Sequence, residues 1–420
     1  MSSRYRVDYY LKEHRRDELI QWLKSLLATP FVLSAVPDQD EEAASVLAAA
    51  SYAEVFRSVE QMVLEHIYGF NEGNKMHRSR ISRLVPSVGT FFTPLPLEHA
   101  FHIQDERRGI SKRRLVAPSF NDVRLILNTA QVMQLAKDYD GKRLLKLVTF
   151  DGDITLYEDG KNLETNSPLI KYMLYLLQHD IAIGIVTAAG YTTAEMYYVR
   201  LHGLLDGVKH SEKLTPKQKE RLLVMGGEAN FLFQYNANIE SLEYKDPQTW
   251  LLPEMQSWTI ENMDGILDHA QHQLTFLAKL MNIETDTEIM RKERAVGLIP
   301  RQNAVLNREV LEEIVLRVDQ NLKETFPTSN IEWCAFNGGR DIWVDIGDKS
   351  LGVRVLQNYL DGNIVAANTL HVGDQFASMG SNDYASRKAA ATAWVAGPWE
   401  TESILLDVKT FIEEQYTNKE

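Results

Sequence analysis

The chain predicts an α/β fold, with a parallel-sheet core, an inserted α+β unit and a helical region in front. Three observations predict it. First, the near-continuous apolar runs Leu147–Phe150 and Ile181–Val186 suit strands buried on both faces of a parallel sheet. Second, Leu169–Leu177 between them has helical spacing, which gives strand–helix–strand. Third, this pattern lapses at about residue 200 and returns near the C-terminus, where short apolar runs again end in polar groups. The expected division is 1–140 for a helical, regulatory and oligomerisation region, 141–199 and 336–420 for the two parts of the core, and 200–335 for the insertion.

From the N-terminus, residues 8–28 and Ala43–Tyr68 have amphipathic helical spacing, separated by an acidic loop at Asp38–Glu42. They carry no evident chemistry, so a packing or assembly layer is expected. Residues 74–118 are basic and irregular, broken by Pro86, Pro94, Pro96 and Pro118. Their cations, among them His77, Arg78, Arg113 and Arg114, form either a solvated face or a polyphosphate site. A helix follows from Asn121. After the first core strand, Glu158-Asp159-Gly160 reads as a turn. Ser167-Pro168 opens the next helix with a capping residue and a first-turn proline. The second strand ends at Thr187, and a helix beginning near Thr192 would set backbone N–H groups beside that hydroxyl.

Within 200–335, Phe231–Tyr235 and Ala295–Pro300 read as strands, and Gly265–Met281 and Arg308–Phe326 as helices. The tail begins with Ile331–Phe336, the hairpin signal Asn337-Gly338-Gly339 and the alternating Arg340–Ile346. A helix starts near Leu351, Asn368–Asp374 is a strand ending in Gly-Asp, Ala391–Val395 is a short strand, and Thr401–Glu414 closes the chain as a helix.

Composition narrows the class. A formal charge of -13 repels nucleic-acid phosphates, so no nucleic-acid partner is expected. A single cysteine, Cys334, rules out a disulfide framework within the chain and suits a reducing compartment. The N-terminus lacks a signal-like apolar core, and no stretch approaches the roughly 18 apolar residues of a membrane helix. A soluble cytoplasmic protein without a membrane partner is expected.

Asp151-Gly152-Asp153 sets two carboxylates at a strand tip, the edge where open α/β sheets bind ligands. A calcium loop fits poorly, because its sixth and twelfth positions hold Leu156 and Asn162 rather than Gly and Glu. Thr187, Lys349 and Asp374 are expected at further tips of the sheet. Carboxylates without a histidine cluster favour a hard cation such as Mg2+. A cation, a lysine and a hydroxyl together answer the charge of a phosphoryl group in transfer. One carboxylate can be the nucleophile and the other the proton carrier.

These residues carry a resemblance. Asp151-Gly152-Asp153-Ile154-Thr155, Thr187, Lys349 and Gly373-Asp374 resemble the four motifs of the haloacid dehalogenase-like (HAD) phosphatases. Phe150–Gly160, Ala117–Arg124, Asn337–Lys349 and Gly373–Phe376 resemble more narrowly the IMP-specific 5'-nucleotidases of fungi and apicomplexan parasites. The resemblance implies a HAD-like Rossmannoid core with a cap, and release of phosphate from inosine 5'-monophosphate (IMP) through an aspartyl-phosphate. It implies Asp151 as nucleophile and Mg2+ ligand, and Asp153 as general acid/base that binds the ion through its carbonyl. Thr187 and Lys349 would meet the phosphate, and Asp374 would be a further ligand. Asp159, Asp341 and Asp345 would lie near ribose or base, or else be a turn residue and an exposed strand face. In the wider superfamily a second acid follows the fourth motif's first by three or four residues. Here Ser378 stands at the fourth position, and the next acid is Asp383, a candidate behind the ligands as in the phosphomannomutase-like branch. Also implied are a homotetramer and activation by ATP, for which Arg113, Arg114 and Arg124 are the candidate contacts. The alternatives are a sugar-phosphate phosphatase or phosphomutase of the same fold, and a nucleotide-binding regulator without catalysis.

Overall fold

The computed structural model describes residues 17–34, 41–71, 79–139, 142–302, 304–361, 363–377 and 380–417. The expectations for residues 8–16, Asp38, His77, Arg78 and Ser378 lie outside them.

Four helices build the N-terminal layer: α1 (Glu18–Ser34), α2 (Glu41–Asn71), α4 (Leu97–Arg108) and α5 (Phe120–Leu135), with the single turn α3 (Arg80–Leu84) between them. Leu23, Leu27, Phe56, Phe101 and Ile126 form their shared core. The helix α4, inside the stretch that sequence reads as irregular, begins directly after Pro96. A proline there only sets the entry to the first turn. Helix α5 starts on a capping box, with Ser119 and Asp122 each accepting from the other's backbone N–H. Its far end, Val132 and Leu135, enters the core of the main sheet.

After a small hairpin, β1 (Asp138–Tyr139) and β2 (Lys142–Arg143), the main sheet begins. It takes in β3 (Leu147–Phe150), β4 (Ala182–Thr187), β5 (Leu222–Gly226), β6 (Phe231–Asn236), β7 (Ser241–Tyr244), β12 (Thr369–Gly373) and β13 (Ala391–Trp394) in the order β13-β12-β3-β4-β5-β6-β7. The first five strands are parallel, and β6 and β7 extend the edge antiparallel. Every residue of β3, β4, β5 and β12 is buried, because helices cover both faces. Helices α6 (Leu169–Gln178), α7 (Ala194–His210) and α12 (Pro398–Thr417) pack on one side, and α11 (Lys349–Asp361) on the other. The one-turn α8 (Pro216–Lys219) leads into β5.

A second unit joins β8 (Thr287–Arg291), β9 (Ala295–Pro300), β10 (Trp333–Asn337) and β11 (Ile342–Ile346) in the antiparallel order β10-β11-β9-β8. Helices α9 (Ile260–Leu280) and α10 (Arg308–Thr325) bury one face of it against Val296, Ile342, Val344 and Ile346. On the other face Trp343 lies flat over Gly297, where a Cβ would stand 2.8 Å from the indole.

Sheet membership moves the boundaries set from sequence at 200 and 335. Strands β5, β6 and β7 belong to the main sheet, and the hairpin β10–β11 belongs to the inserted one. Alternation of apolar residues shows that a strand is half-buried, not which sheet it joins. Among the described residues no helix is long and apolar enough to cross a membrane.

Candidate active site

Strand β3 sits between β12 and β4, so Asp151 follows a central strand at its C-terminal tip. Its backbone N–H donates to Val372 O of β12 at 2.9 Å. The turn beyond keeps Gly152 close to Tyr157 and Thr187: a Cβ on Gly152 would lie 2.6 Å from the Tyr157 hydroxyl and 3.5 Å from Thr187 Oγ1. Thr187 is thereby brought to the motif, and its hydroxyl accepts from the Ala189 N–H at 3.2 Å.

Asp374, directly after β12, and Asp383 complete an acid cluster with Asp151. One carboxylate oxygen from each lies within 4.8 Å of the others. Gly373 permits this, since a Cβ there would sit 2.4 Å from the Asp383 carboxyl. Lys349 is fully buried, 2.8 Å from Asp151 Oδ1 and 2.6 Å from Asp383 Oδ1. It does not stand at a parallel strand tip as expected. It opens helix α11, which follows the antiparallel strand β11, and Asp348 caps that helix through the Leu351 N–H at 2.8 Å.

Burial works against every charge here. It pushes Asp151 up to about 6, against the downward pull of Lys349. Asp374 is driven well above the usual carboxylate range by burial, with Asp383 and Asp151 adding to the effect. Burial also opposes ionisation of Asp383, yet Lys349 and His371 overcome it and hold that group at about 2. Lys349 is raised because its three acidic neighbours, Asp151, Asp383 and Glu228, outweigh its own desolvation. The Asp374 Oδ1 atom is buried with no hydrogen-bond partner. A buried, unpartnered carboxylate beside two others is costly unless a cation lies against it. An all-oxygen set fits a hard divalent ion. Both oxygens of Asp383 already have donors: Lys349 and His371 on Oδ1, the Gln375 N–H on Oδ2. Asp151 and Asp374 are thus the two acids left to hold a cation.

Asp153 lies two residues after Asp151, half-buried and raised by burial, with Oδ1 accepting from the Gly160 N–H at 3.3 Å. The loop 153–163 is tied to helix α7, where Leu163 N–H donates to Arg200 O and Arg200 Nη1 to Lys161 O, both at 2.8 Å. Asp159 is exposed on that loop, near enough to Asp341 to raise it. Asp341 and Asp345 both lie on the inserted unit. Burial is the main cause raising Asp341, which accepts a hydrogen bond from Trp343. Asp345 is buried, its Oδ1 without a partner, and burial pushes it up to about 8 while Lys292 pulls the other way.

The three candidate effector arginines lie on helix α5 and the loop before it. Arg113 pairs with Asp122 at 2.7 Å, and Arg114 is half-buried in the same loop. Arg124 is buried, forked onto Glu400 at 2.6 and 2.8 Å. With Trp394 it walls off two clefts, one of about 370 Å³ lined also by Phe91, Tyr384, Arg387 and Lys388, and one of about 280 Å³ that contains Asp374.

Sequence reasoning missed three residues. Glu228 is fully buried behind Lys349. Its signal was available, because Leu222–Met225 followed by Gly-Gly-Glu repeats the strand-then-acid form of the first motif. Trp394 Nε1 donates to Asp374 O at 2.7 Å, and His371 touches Asp383. Neither contact has a local signature.

Comparison with known proteins follows the same lines. Residues 1–405 match the profile of the IMP-specific 5'-nucleotidase family. The chain is 50% identical to IMP-specific 5'-nucleotidase 1 of Yarrowia lipolytica, over 99% of each chain. It is 45% identical to that of Saccharomyces cerevisiae, over 96% of this chain and 98% of the other. The IMP-bound structure of a Plasmodium falciparum IMP-nucleotidase variant superposes with a TM-score of 0.81 at 33% identity, covering 94% of both chains. An ATP-bound structure of Plasmodium falciparum IMP-nucleotidase gives 0.77 at 34%, covering 96% of this chain and 87% of that one.

Proposed function

The chain belongs to the IMP-specific 5'-nucleotidase family, and from that premise we propose that it hydrolyses IMP to inosine and phosphate with Mg2+, through an aspartyl-phosphate on Asp151. The observation that carries the reading is the buried contact of Lys349 with Asp151, set within 4.8 Å of the unpartnered acid Asp374.

Asp151 attacks phosphorus, forming an O–P bond as the bond from phosphorus to O5' breaks. Asp153, whose carboxyl burial pushes above its ordinary value, gives its proton to O5'. Its carboxylate then takes a proton from water, whose oxygen attacks the aspartyl-phosphate and frees phosphate and Asp151. Thr187 holds a phosphoryl oxygen, and the Lys349 ammonium offsets charge on the nucleophile. Asp151, Asp374 and the Asp153 carbonyl would hold Mg2+, which when bound would supply further charge neutralisation at the phosphoryl oxygens. The inserted unit acts as a cap, and Asp159, Asp341 and Asp345 face ribose or base from the loop, from the turn before β11 and from β11 itself. Asp383 stands behind the ligands and anchors Lys349.

Family membership also supports a homotetramer and an ATP effector, the latter because an ATP-bound relative superposes along most of the chain. We place the effector in the basic region that holds Arg113, Arg114 and Arg124, where Arg124 lines the larger cleft. A cytoplasmic setting agrees with the lone free cysteine.

Phosphate release from a panel of nucleoside and sugar monophosphates, with and without Mg2+, tests the reading. Release chiefly from IMP, and only with the ion, is expected; no release from IMP refutes it. Asp151→Asn should lower turnover by about 10³-fold or more, as loss of a covalent nucleophile does, while IMP binding by calorimetry persists. An active variant refutes the nucleophile.

A further inference from the structure

One histidine lies inside the parallel sheet. His371 is fully buried on β12, in register with Thr149 of β3. A buried imidazole without partners would cost stability, and here both nitrogens have one. Nδ1 is 2.9 Å from Thr149 Oγ1, and Nε2 is 3.1 Å from Asp383 Oδ1. The ionised Asp383 can only accept, so Nε2 carries the hydrogen. Burial lowers the imidazole pKa below its ordinary value against the pull of Asp383, and so favours the neutral ring. Nδ1 is therefore an acceptor, and the Thr149 hydroxyl donates to it. Beyond Asp383 the chain of contacts continues through Lys349 Nζ at 2.6 Å and on to Asp151 Oδ1 at 2.8 Å.

Asp383 thus receives three donors: Lys349 and His371 on one oxygen, the Gln375 N–H on the other. The imidazole donor, anchored within the sheet itself, further restrains the carboxylate's plane. We propose that Thr149 and His371 are positioning residues for phosphoryl transfer: the hydroxyl selects the imidazole tautomer, the imidazole fixes the Asp383 carboxylate, and Asp383 holds Lys349 on one oxygen of Asp151 so that the other is left to react. Neither residue touches substrate. The inference rests on the proposed reaction of Asp151.

Steady-state hydrolysis of IMP by wild type, Thr149→Val, His371→Phe and His371→Gln tests it, with thermal unfolding measured on each. Thr149→Val removes the tautomer-setting donor at nearly constant shape. It is expected to lower kcat about tenfold with KM within about twofold, in the range found for residues that orient a ligating group. His371→Phe should lower kcat further, again with KM little changed. His371→Gln, whose amide N–H can donate to Asp383, should recover most of the loss. A 15N spectrum of histidine-labelled protein should show one buried ring protonated at Nε2, its signal displaced in Thr149→Val. Wild-type kcat in Thr149→Val overturns the proposal, as do equal losses in His371→Gln and His371→Phe, or losses in which KM rises in step. If the wild type itself releases no phosphate from IMP, the reaction proposed for Asp151 fails, an outcome separate from these ratios.

Discussion

Asp345 shows how one residue can carry two opposed demands. It occupies a buried position on β11, yet one of its oxygens lacks a partner, and its pKa is pushed up to about 8. An acid raised on folding binds more protons folded than unfolded, so stability falls as pH rises from about 4 towards 8 and levels off above. Asp345→Asn removes that slope. In melts between pH 5 and 8 without substrate, the variant should gain on wild type as pH rises; parallel curves would refute the assignment. From sequence Asp345 was readable either as a substrate contact or as an exposed strand face. The fold excludes the exposed face, because the side chain is buried. Its alternation along β11 was legible, but burial on that face depends on what lies opposite, and no local pattern encodes that. The same limit hid His371, since a lone histidine in an apolar strand reads as core until the register with Thr149 is known.

Helix α5 and strand β13 are joined by polar contacts that apolar patterning does not announce. Arg124 forks onto Glu400 and also donates to Trp394 O, while Asn128 bonds both backbone groups of Trp394 at 2.8 and 3.0 Å. Trp394 then holds the Asp374 carbonyl. Arg124→Met leaves Glu400 buried and unpaired, which should cost about 3–5 kcal/mol and lower the melting temperature accordingly. Mg2+ affinity should weaken with it, as Trp394 keeps Asn128 but loses the support of Arg124. A variant as stable as wild type would show that the pair contributes nothing. Strand tips were the most legible elements, because a fully apolar run followed by an acid marks both burial and the sheet edge. That reasoning placed Asp151, Thr187 and Asp374 on the parallel sheet, where they are found. It misplaced Lys349, whose helix follows a strand of the other sheet, because the alternating Ile342–Ile346 looks the same in either. Long-range pairing also decided the fate of β6 and β7.

Across the whole molecule, three acids, Asp151 and Asp383 buried and Asp374 half-buried, lie at the C-terminal edge of the parallel sheet, and only part of their charge is answered by Lys349. A divalent cation bound to the folded state alone adds stability by mass action, about 2.7 kcal/mol at a hundred times its Kd. Mg2+ should therefore raise the melting temperature by several degrees, EDTA should reverse the rise, and Asp374→Asn should abolish it. An unchanged melt in wild type would remove the cation from the site. The course of the chain between the two units has a further consequence. Strand β11 carries Asp345, with Asp341 in the turn just before it, and four residues after Asp345 the same chain delivers Lys349 to Asp151. The segment proposed to meet the unreactive end of a substrate is thus continuous with the cation at the reactive end. On the proposed reading, a purine that seats badly against β11 would displace the ammonium from the nucleophile, and the wrong base would be penalised in the rate of bond breaking as well as in occupancy. Discrimination among nucleotides should then persist at saturating concentrations, where affinity alone no longer separates one monophosphate from another.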